Sequence, residues 1–445
     1  MGFGPTAHGC LSKCSAWRTC PLSPFDRLEQ KSSVMKRFQG IGEVFRHRNY
    51  RLYFLGMSVS LMGSLFSSIA LSWLVYRLTN SGFMLGLVTF VGQFMTLVLT
   101  PFSGVILDRI DRKRVLILTQ IVGMVISLIL AALCLTETIT LWEIFALSLL
   151  RGSVFAFDGP TRQTLVVDLV NNREAVPKAI ALNSAMFNAA RLIGPALGGV
   201  VIAEWGEGIC MLVDGLSFVP SIFCALALRI APRPVGEKPP IFSSLSEGLR
   251  YAFENRPIRI ILMLLVAGTL VGSSYMVLLP IFAKEVFHGG PKLLGMLMGA
   301  SGLGALAGSL ILAWRSGYDG LGMLIPRAVL CFGAAIVCLG LSPNSWIAML
   351  CLFISGVGLI LYSSAGNTLL QAVVDDDKRG RVMSLFTLAF VGMMPLGSLL
   401  GGALAGWLGA PVSTVLAGLV CVLIAVGFYP SFRPIDGIAV LKTEP

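Results

Sequence analysis

The sequence predicts an all-α polytopic membrane protein in which twelve transmembrane helices form two six-helix halves. Three observations predict it. Of 445 residues 55% are hydrophobic and only 13% charged, with a mean hydropathy of +0.82, whereas a soluble globular chain carries about 25% charged residues. The apolar residues come in long runs, each of about the twenty residues that a helix needs to cross a bilayer. The basic residues gather where those runs end.

Composition narrows the function classes. The 49 glycines suit helices that must pack closely where no hydrophobic force drives them together. A net charge of +11 could suggest nucleic acid, but clustering at the ends of the runs points to membrane topology instead. The three histidines, together with the spacing of cysteines and carboxylates, support no catalytic constellation. No enzyme activity, cofactor or metal site is expected. Cys134, Cys210, Cys224, Cys331, Cys338, Cys351 and Cys421 lie in or beside apolar runs and are expected to be small buried hydrophobes. Cys10, Cys14 and Cys20 lie near His8 at no spacing typical of a zinc site.

Residues 1–45 are expected to form a disordered cytoplasmic tail with no apolar core like that of a signal peptide. Met35 is a plausible alternative start, and Phe45 to Arg51 a basic amphipathic lead-in at the membrane surface. The spans are expected at about 52–76, 83–105, 114–135, 142–164, 179–203, 209–229, 258–283, 292–314, 322–341, 346–372, 382–407 and 411–430. The N-terminal half is thus 46–230 and the C-terminal half 258–430. A proline-rich charged linker, 231–257, joins them, with an amphipathic segment from Phe242 to Asn255, and a cytoplasmic tail covers 431–445.

Charge orients this arrangement. With the N-terminus inside, 29 of the 34 Lys and Arg fall in cytoplasmic segments and three outside (Arg77, Lys284, Lys292). That split leaves little room for the opposite orientation. Arg151 and Arg191 remain inside spans.

The halves repeat. Shifted by 203 positions, Leu182 meets Leu385 and Phe187 meets Phe390. Gly194, Gly198, Gly199 and Gly206 meet Gly397, Gly401, Gly402 and Gly409. Span five therefore has its duplicate in span eleven.

The turn between spans two and three reads G-V-I-L-D-R-I-D-R-K-R from Gly104 to Arg114. An ordinary positive-inside loop would account for its charge. The upstream Gly104 and the Asp108-Arg109 pair go further. With Arg112, Lys113 and Arg114 they resemble the loop motif of major facilitator superfamily transporters, G-x-x-x-D-R-x-G-R-K/R. The motif's second glycine is Asp111 here, a residue that tolerates a left-handed turn better than most. The resemblance implies the major facilitator fold, with a substrate site between the halves near the bilayer midplane and this turn as a conformational gate.

Span five carries Gly194-Pro195-Ala196-Leu197-Gly198-Gly199. Proline removes a helix hydrogen bond and glycines admit a close neighbour, so the segment can be a hinge or a sealed packing surface. It resembles the G-P-x-x-G-G motif of drug/proton antiporters in the superfamily. Gly302, Gly304 and Gly308 lie within a span with no preceding strand, and small-residue helix packing explains them better than a dinucleotide loop.

Ionisable residues inside spans are functional candidates by default, because each costs several kcal/mol at the bilayer centre unless paired or hydrated. They are Arg151 and Asp158 in span four, with Arg162 continuing the same stripe, Arg191 in span five and Asp214 in span six. Asp158, flanked by two arginines, fits a structural ion pair or a coupling residue released when conformation changes. Arg191 fits an anionic substrate or an acid on span four. Asp214, near the outer end, is expected simply to face water.

Asn49-Tyr-Arg-Leu-Tyr-Phe, Trp73-Leu-Val-Tyr-Arg-Leu-Thr, Ala156-Phe-Asp-Gly-Pro-Thr-Arg-Gln, Ala181-Leu-Asn-Ser and Phe187-Asn188 are similar to the bacterial enterobactin-exporter/macrolide-efflux branch of the superfamily, across roughly 45–430. The resemblance implies proton-driven export of a bulky, partly hydrophobic small molecule from the cytoplasm. It further implies a monomer in the lipid bilayer of the bacterial inner membrane, with both termini cytoplasmic and no nucleic-acid partner. Metabolite uptake, or a membrane scaffold or sensor that no longer transports, are the competing expectations. Costly mid-span charges argue against a scaffold.

Overall fold

The computed structural model describes residues 44–107, 110–170, 175–229, 249–315, 320–375 and 378–441, and of 101, 104, 105 and 433–441 the backbone only. The described residues form helices and no strand. In chain order these are α1 (Arg48–Thr79), α2 (Gly82–Leu107), α3 (Arg112–Leu135), α4 (Leu141–Asp168), α5 (Val176–Ala227), α6 (Arg256–Gly272), α7 (Ser274–Ile281), α8 (Pro291–Trp314), α9 (Leu321–Gly340), α10 (Ser345–Val373), α11 (Arg379–Phe390), α12 (Met393–Leu408) and α13 (Ala410–Leu441).

Thirteen helices reduce to twelve spans because some are joined and others broken. Ten helical stretches among the described residues are long and apolar enough to cross a membrane. One of them, α5, is spans five and six fused across Gly206, whose φ of 82° and ψ of 173° are not helical. The twelfth is α4, less apolar because it carries Arg151, Asp158 and Arg162. Its start is fixed by a capping box in which the Thr140 N–H donates to Glu143 Oε2 at 2.7 Å.

Two spans are broken. Span seven comprises α6, α7 and a π-helical turn, Phe282–Val286. Its break follows Gly272, where the Ser274 hydroxyl donates to the Val271 carbonyl at 2.7 Å and competes with the helix ladder. Span eleven comprises α11 and α12, which part at Val391 and Gly392. Pro395 has no N–H for the Val391 carbonyl, and its ring crowds that same group.

The predicted spans are recovered, with two differences at the chain ends. The helix of span twelve continues to Leu441 instead of stopping near 430. At the other end, helix already begins at Arg48, so part of the expected surface segment Phe45–Arg51 is continuous with span one. Tyr50 anchors it, fully buried with its hydroxyl donating to the Ala179 carbonyl at 3.1 Å. The tail cysteines, Met35 and most of the linker lie outside the described residues.

The 203-residue repeat is visible in the packing. Gly206 and Gly409 both turn the chain with positive φ, 82° and 80°, a conformation that only glycine adopts cheaply. Gly194 and Gly198 abut Leu65, Phe66 and Ile69 of span one, whereas Gly397 and Gly401 abut Leu270, Ser273 and Ser274 of span seven. The remaining pair makes the contacts between halves. Gly199 meets Gly295 of span eight, and Gly402 meets Gly86 of span two. Accordingly α5 packs on α8 and α12 on α2. Gly302, Gly304 and Gly308 touch the backbones of Arg191, Phe353 and Val357, so they serve helix packing as expected.

The chain has a basic end, which holds the Arg112–Arg114 cluster, and an opposite end. Trp142, Trp205, Trp346 and Trp407 are exposed where spans four, five, ten and eleven reach the opposite end, as tryptophans are at a membrane–water boundary. Leu118, Phe223 and Leu423 are exposed on the outer surface. So are Cys331 and Cys338, contrary to the expectation of burial. A surface that faces lipid tails accepts a thiol as readily as a core does.

Candidate functional site

A cavity of about 1300 Å³ lies within the bundle. Spans one to six and span eleven wall it. The lining extends from Val75 and Leu85 near the opposite end to Thr100, Arg162 and Arg381 towards the basic end. Phe155, Phe187, Phe218 and Phe390 give it aromatic surface, and Ser64, Ser68, Thr96, Gln93 and Thr387 supply hydroxyl and amide groups. Such a mainly apolar concavity with a few placed polar groups suits a small molecule.

Span four contributes most of the charge, but its stripe divides. Asp158, 5% exposed, pairs with Arg162, whose Nε lies 2.6 Å from Oδ2. Its other oxygen accepts from Gln120 Nε2 at 3.0 Å and lies 3.0 Å from the Thr119 hydroxyl. Gln120 in turn accepts from Ser60 and Ser221 at 3.1 and 3.0 Å. One amide thereby ties spans one, three, four and six together around the acid.

Arg151 turns away from Asp158. It donates to Ser67 Oγ at 3.1 Å and to the Ser64 carbonyl at 3.0 Å, and its Nη2 lies 3.9 Å from Asp214 Oδ2. The expectation that two arginines flank Asp158 is corrected: only Arg162 does. The expectation that Asp214 faces water is also corrected. Asp214 is fully buried and accepts from the Ser127 hydroxyl at 2.8 Å. Rotation about the span six axis decides this, and depth along the chain does not report it.

Arg191 lines the cavity. Neither a hydrogen bond nor an ion pair engages its side chain among the described residues. Its backbone is fixed at the seam between halves, where a Cβ on Gly302 would lie 2.9 Å from the Arg191 carbonyl. Gly194, Pro195, Gly198 and Gly199 follow in a helix that stays unbroken through the proline.

Of the expected gate, Asp108 and Arg109 lie outside the described residues, and Gly104 is described only as part of α2. The rest is well defined. Asp111 caps α3, its side chain accepting from the Lys113 N–H at 2.9 Å. Its φ is −60°, so the chain is extended there and makes no left-handed turn. A carboxylate suits this position because it satisfies a helix N-terminal donor. Arg112 pairs with Asp168 at the end of span four (2.8 Å), and Lys113 Nζ donates to the Leu226 and Leu228 carbonyls at the end of span six (2.8 and 2.7 Å). Arg114 is exposed and lies 3.9 Å from Asp111.

A second cluster, not anticipated from the sequence, bridges the halves at the opposite end. The Tyr76 hydroxyl donates to the Glu285 carboxylate. Lys284 Nζ donates to Asn80 Oδ1 at 2.8 Å and lies 5.3 Å from the centre of the Tyr76 ring. Beside it Arg77 pairs with Glu207 at 2.9 Å. The glycine seams Gly199–Gly295 and Gly402–Gly86 lie at the same end.

A family described as transmembrane secretion effector matches residues 43–437. The chain is 27% identical over 382 residues to a staphyloferrin A transporter of Staphylococcus aureus, an alignment covering 85% of this chain and 95% of that one. It is 24% identical over 405 residues to macrolide efflux protein A of Streptococcus pyogenes, covering 88% and 99%. Among solved structures, a bacterial homologue of the iron transporter ferroportin in an inward-facing state superposes with a TM-score of 0.66 at 16% identity, covering 86% of this chain and 98% of that one.

Proposed function

Since the chain belongs to the transmembrane secretion effectors of the major facilitator superfamily, we propose that it exports a bulky, partly hydrophobic small molecule by alternating access, in exchange for protons. As a multi-pass membrane protein related to efflux transporters, it acts as a monomer in the bacterial inner membrane. The basic end faces the cytoplasm, in keeping with the distribution of Lys and Arg.

The observation that carries this reading is the pairing of the mainly apolar, aromatic cavity with backbone-to-backbone glycine seams at the opposite end. In this conformation the seams and the Tyr76–Glu285 contact close the outer side. Substrate enters from the cytoplasm, the halves rock, and the seams part. Asp108, Arg109 and Arg112 to Arg114 then hold the cytoplasmic side shut. Asp158 and Asp214 are the carboxylates placed to carry the coupling proton, because both are buried beside an arginine that conformational change can withdraw.

The test is accumulation of dyes, macrolides and catecholate siderophores in cells expressing the protein, with and without a protonophore. Lower accumulation that the protonophore abolishes supports proton-driven export. Higher accumulation of a panel member in expressing cells would instead establish uptake.

A further inference from the structure

We infer that the cavity selects an anion with an aromatic or otherwise apolar body, and that Arg191 is the residue that recognises its negative charge. This rests on the reading of the cavity as the transport site.

The charge on the wall is lopsided. Among the described lining residues are four arginines, Arg151, Arg162, Arg191 and Arg381, and one carboxylate, Asp158. Asp158 is committed to Arg162 at 2.6 Å and has its second oxygen occupied by Gln120. Asp214 sits behind the wall, fully buried, and offsets Arg151 from 3.9 Å. Among the described residues no acid is left for Arg191. Among the described residues it has no polar partner at all, although its helix is buried on both flanks by the other half and by span one.

An unpartnered guanidinium inside a span is costly. The chain lowers that cost by leaving the group in contact with the cavity, where water hydrates it between substrates. A cationic substrate would have to displace that water and meet the unpaired Arg191 guanidinium, and no carboxylate among the described lining residues is free to receive it. An anion replaces the water with a charge-assisted, two-pronged hydrogen bond to Arg191. Phe187, on the same helix one turn away, and Phe155 and Phe218 offer faces to an apolar or aromatic body. Charge and shape together therefore exclude simple inorganic anions as the best fit and favour aromatic carboxylates, phenolates and related organic acids.

Two dyes with the same xanthene body and opposite charge test this. The full chain, purified into nanodiscs of zwitterionic lipid so that no anionic headgroup competes, is titrated with fluorescein and with rhodamine 123, and binding is read by fluorescence anisotropy. Fluorescein is expected to bind about tenfold or more tightly than rhodamine 123, the effect of one charge-assisted hydrogen bond. Arg191→Gln should lose about that factor for fluorescein and leave rhodamine 123 unchanged, while Arg191→Lys, which keeps the charge but not the planar fork, retains only part of the preference. Because Arg191 makes no polar contact, neither variant should alter the thermal midpoint or the elution profile. Equal or tighter binding of rhodamine 123, no binding of either dye, or fluorescein binding indifferent to Arg191→Gln overturns the inference. Transport by inverted vesicles separates it from the export reading. Fluorescein bound through Arg191 but never moved leaves the anion site standing and sinks export. Rhodamine 123 moved while fluorescein is neither bound nor moved does the reverse.

Discussion

Gly402 lies so close to Gly86 across the seam between the halves that a Cβ on Gly402 would sit 2.9 Å from the Gly86 Cα. The duplicate of Gly402, Gly199, holds the same relation to Gly295, also 2.9 Å. Two backbone contacts thus close one end of the transporter.

Larger side chains at these glycines should wedge that end apart. Overpacking of this kind costs about 1–3 kcal/mol. Gly402→Leu and Gly199→Leu are expected to shift the population towards the outward-open state. In a background without native cysteines, Ser68→Cys on the cavity wall should then react about tenfold faster with an impermeant maleimide added outside, and export should fall. An unchanged labelling rate would remove these glycines from the gating argument.

The latch beside the seam predicts an effect in the same direction. Tyr76→Phe deletes the hydrogen bond to Glu285 but keeps the ring under Lys284. A hydrogen bond to a charged group contributes about 1.5–3 kcal/mol, so labelling of Ser68→Cys from outside should rise by about tenfold. Asn80→Ala, which removes the neutral acceptor of Lys284, should do less. If neither substitution changes labelling, the outer end is held by the glycines alone.

Arg151 and Asp214 predict a stability cycle. Arg151→Ala leaves Asp214 buried without its cation, and breaking a buried pair typically costs about 3–5 kcal/mol. The thermal midpoint in detergent should drop by several degrees or the protein should not be recovered. Replacing both residues with Met and Leu should restore the midpoint and still abolish export. A double variant no more stable than Arg151→Ala would mean that the serine contacts of Arg151, and not Asp214, dominate its environment.

At the basic end, Arg112→Ala should reduce export at least about tenfold while insertion and expression stay normal, because the ion pair with Asp168 fixes the start of α3 to the end of α4. Asp168→Asn should behave alike, and the swapped pair Arg112→Asp with Asp168→Arg should recover part of the activity. Full activity of Arg112→Ala and Asp108→Asn together would refute a gating role for the turn.

Much of this architecture was legible in the sequence because bilayer thickness sets helix length and charge clusters mark helix ends. The repeat of Gly194, Gly198, Gly199 and Gly206 in the second half announced positions where backbones must approach or turn, and each of the eight glycines has that use. Partner choice was less legible. Arg151 and Asp158 share a helix face, but seven residues at 1.5 Å each separate them by roughly 10 Å. Asp158 and Arg162, one turn apart, can meet. The environment of Asp214 depends on how span six is rotated against spans three and four, for which the chain gives no local signal. Gln120 gives no sequence signal because it carries no charge, and Tyr76 and Glu285 give none because they stand 209 positions apart.

The break in span eleven has a mechanical meaning. Spans five and eleven are duplicates, yet the first is a continuous helix through Pro195 and the second is jointed at Val391 and Gly392. One is a stiff rod and the other a rod with an elbow at the cavity wall, since Val391 and Gly392 both line it. On the alternating-access reading the two seams are expected to part by different motions, span five swinging as a whole and carrying Arg191 with it, span eleven folding about its elbow and closing on whatever occupies the cavity before the far end moves.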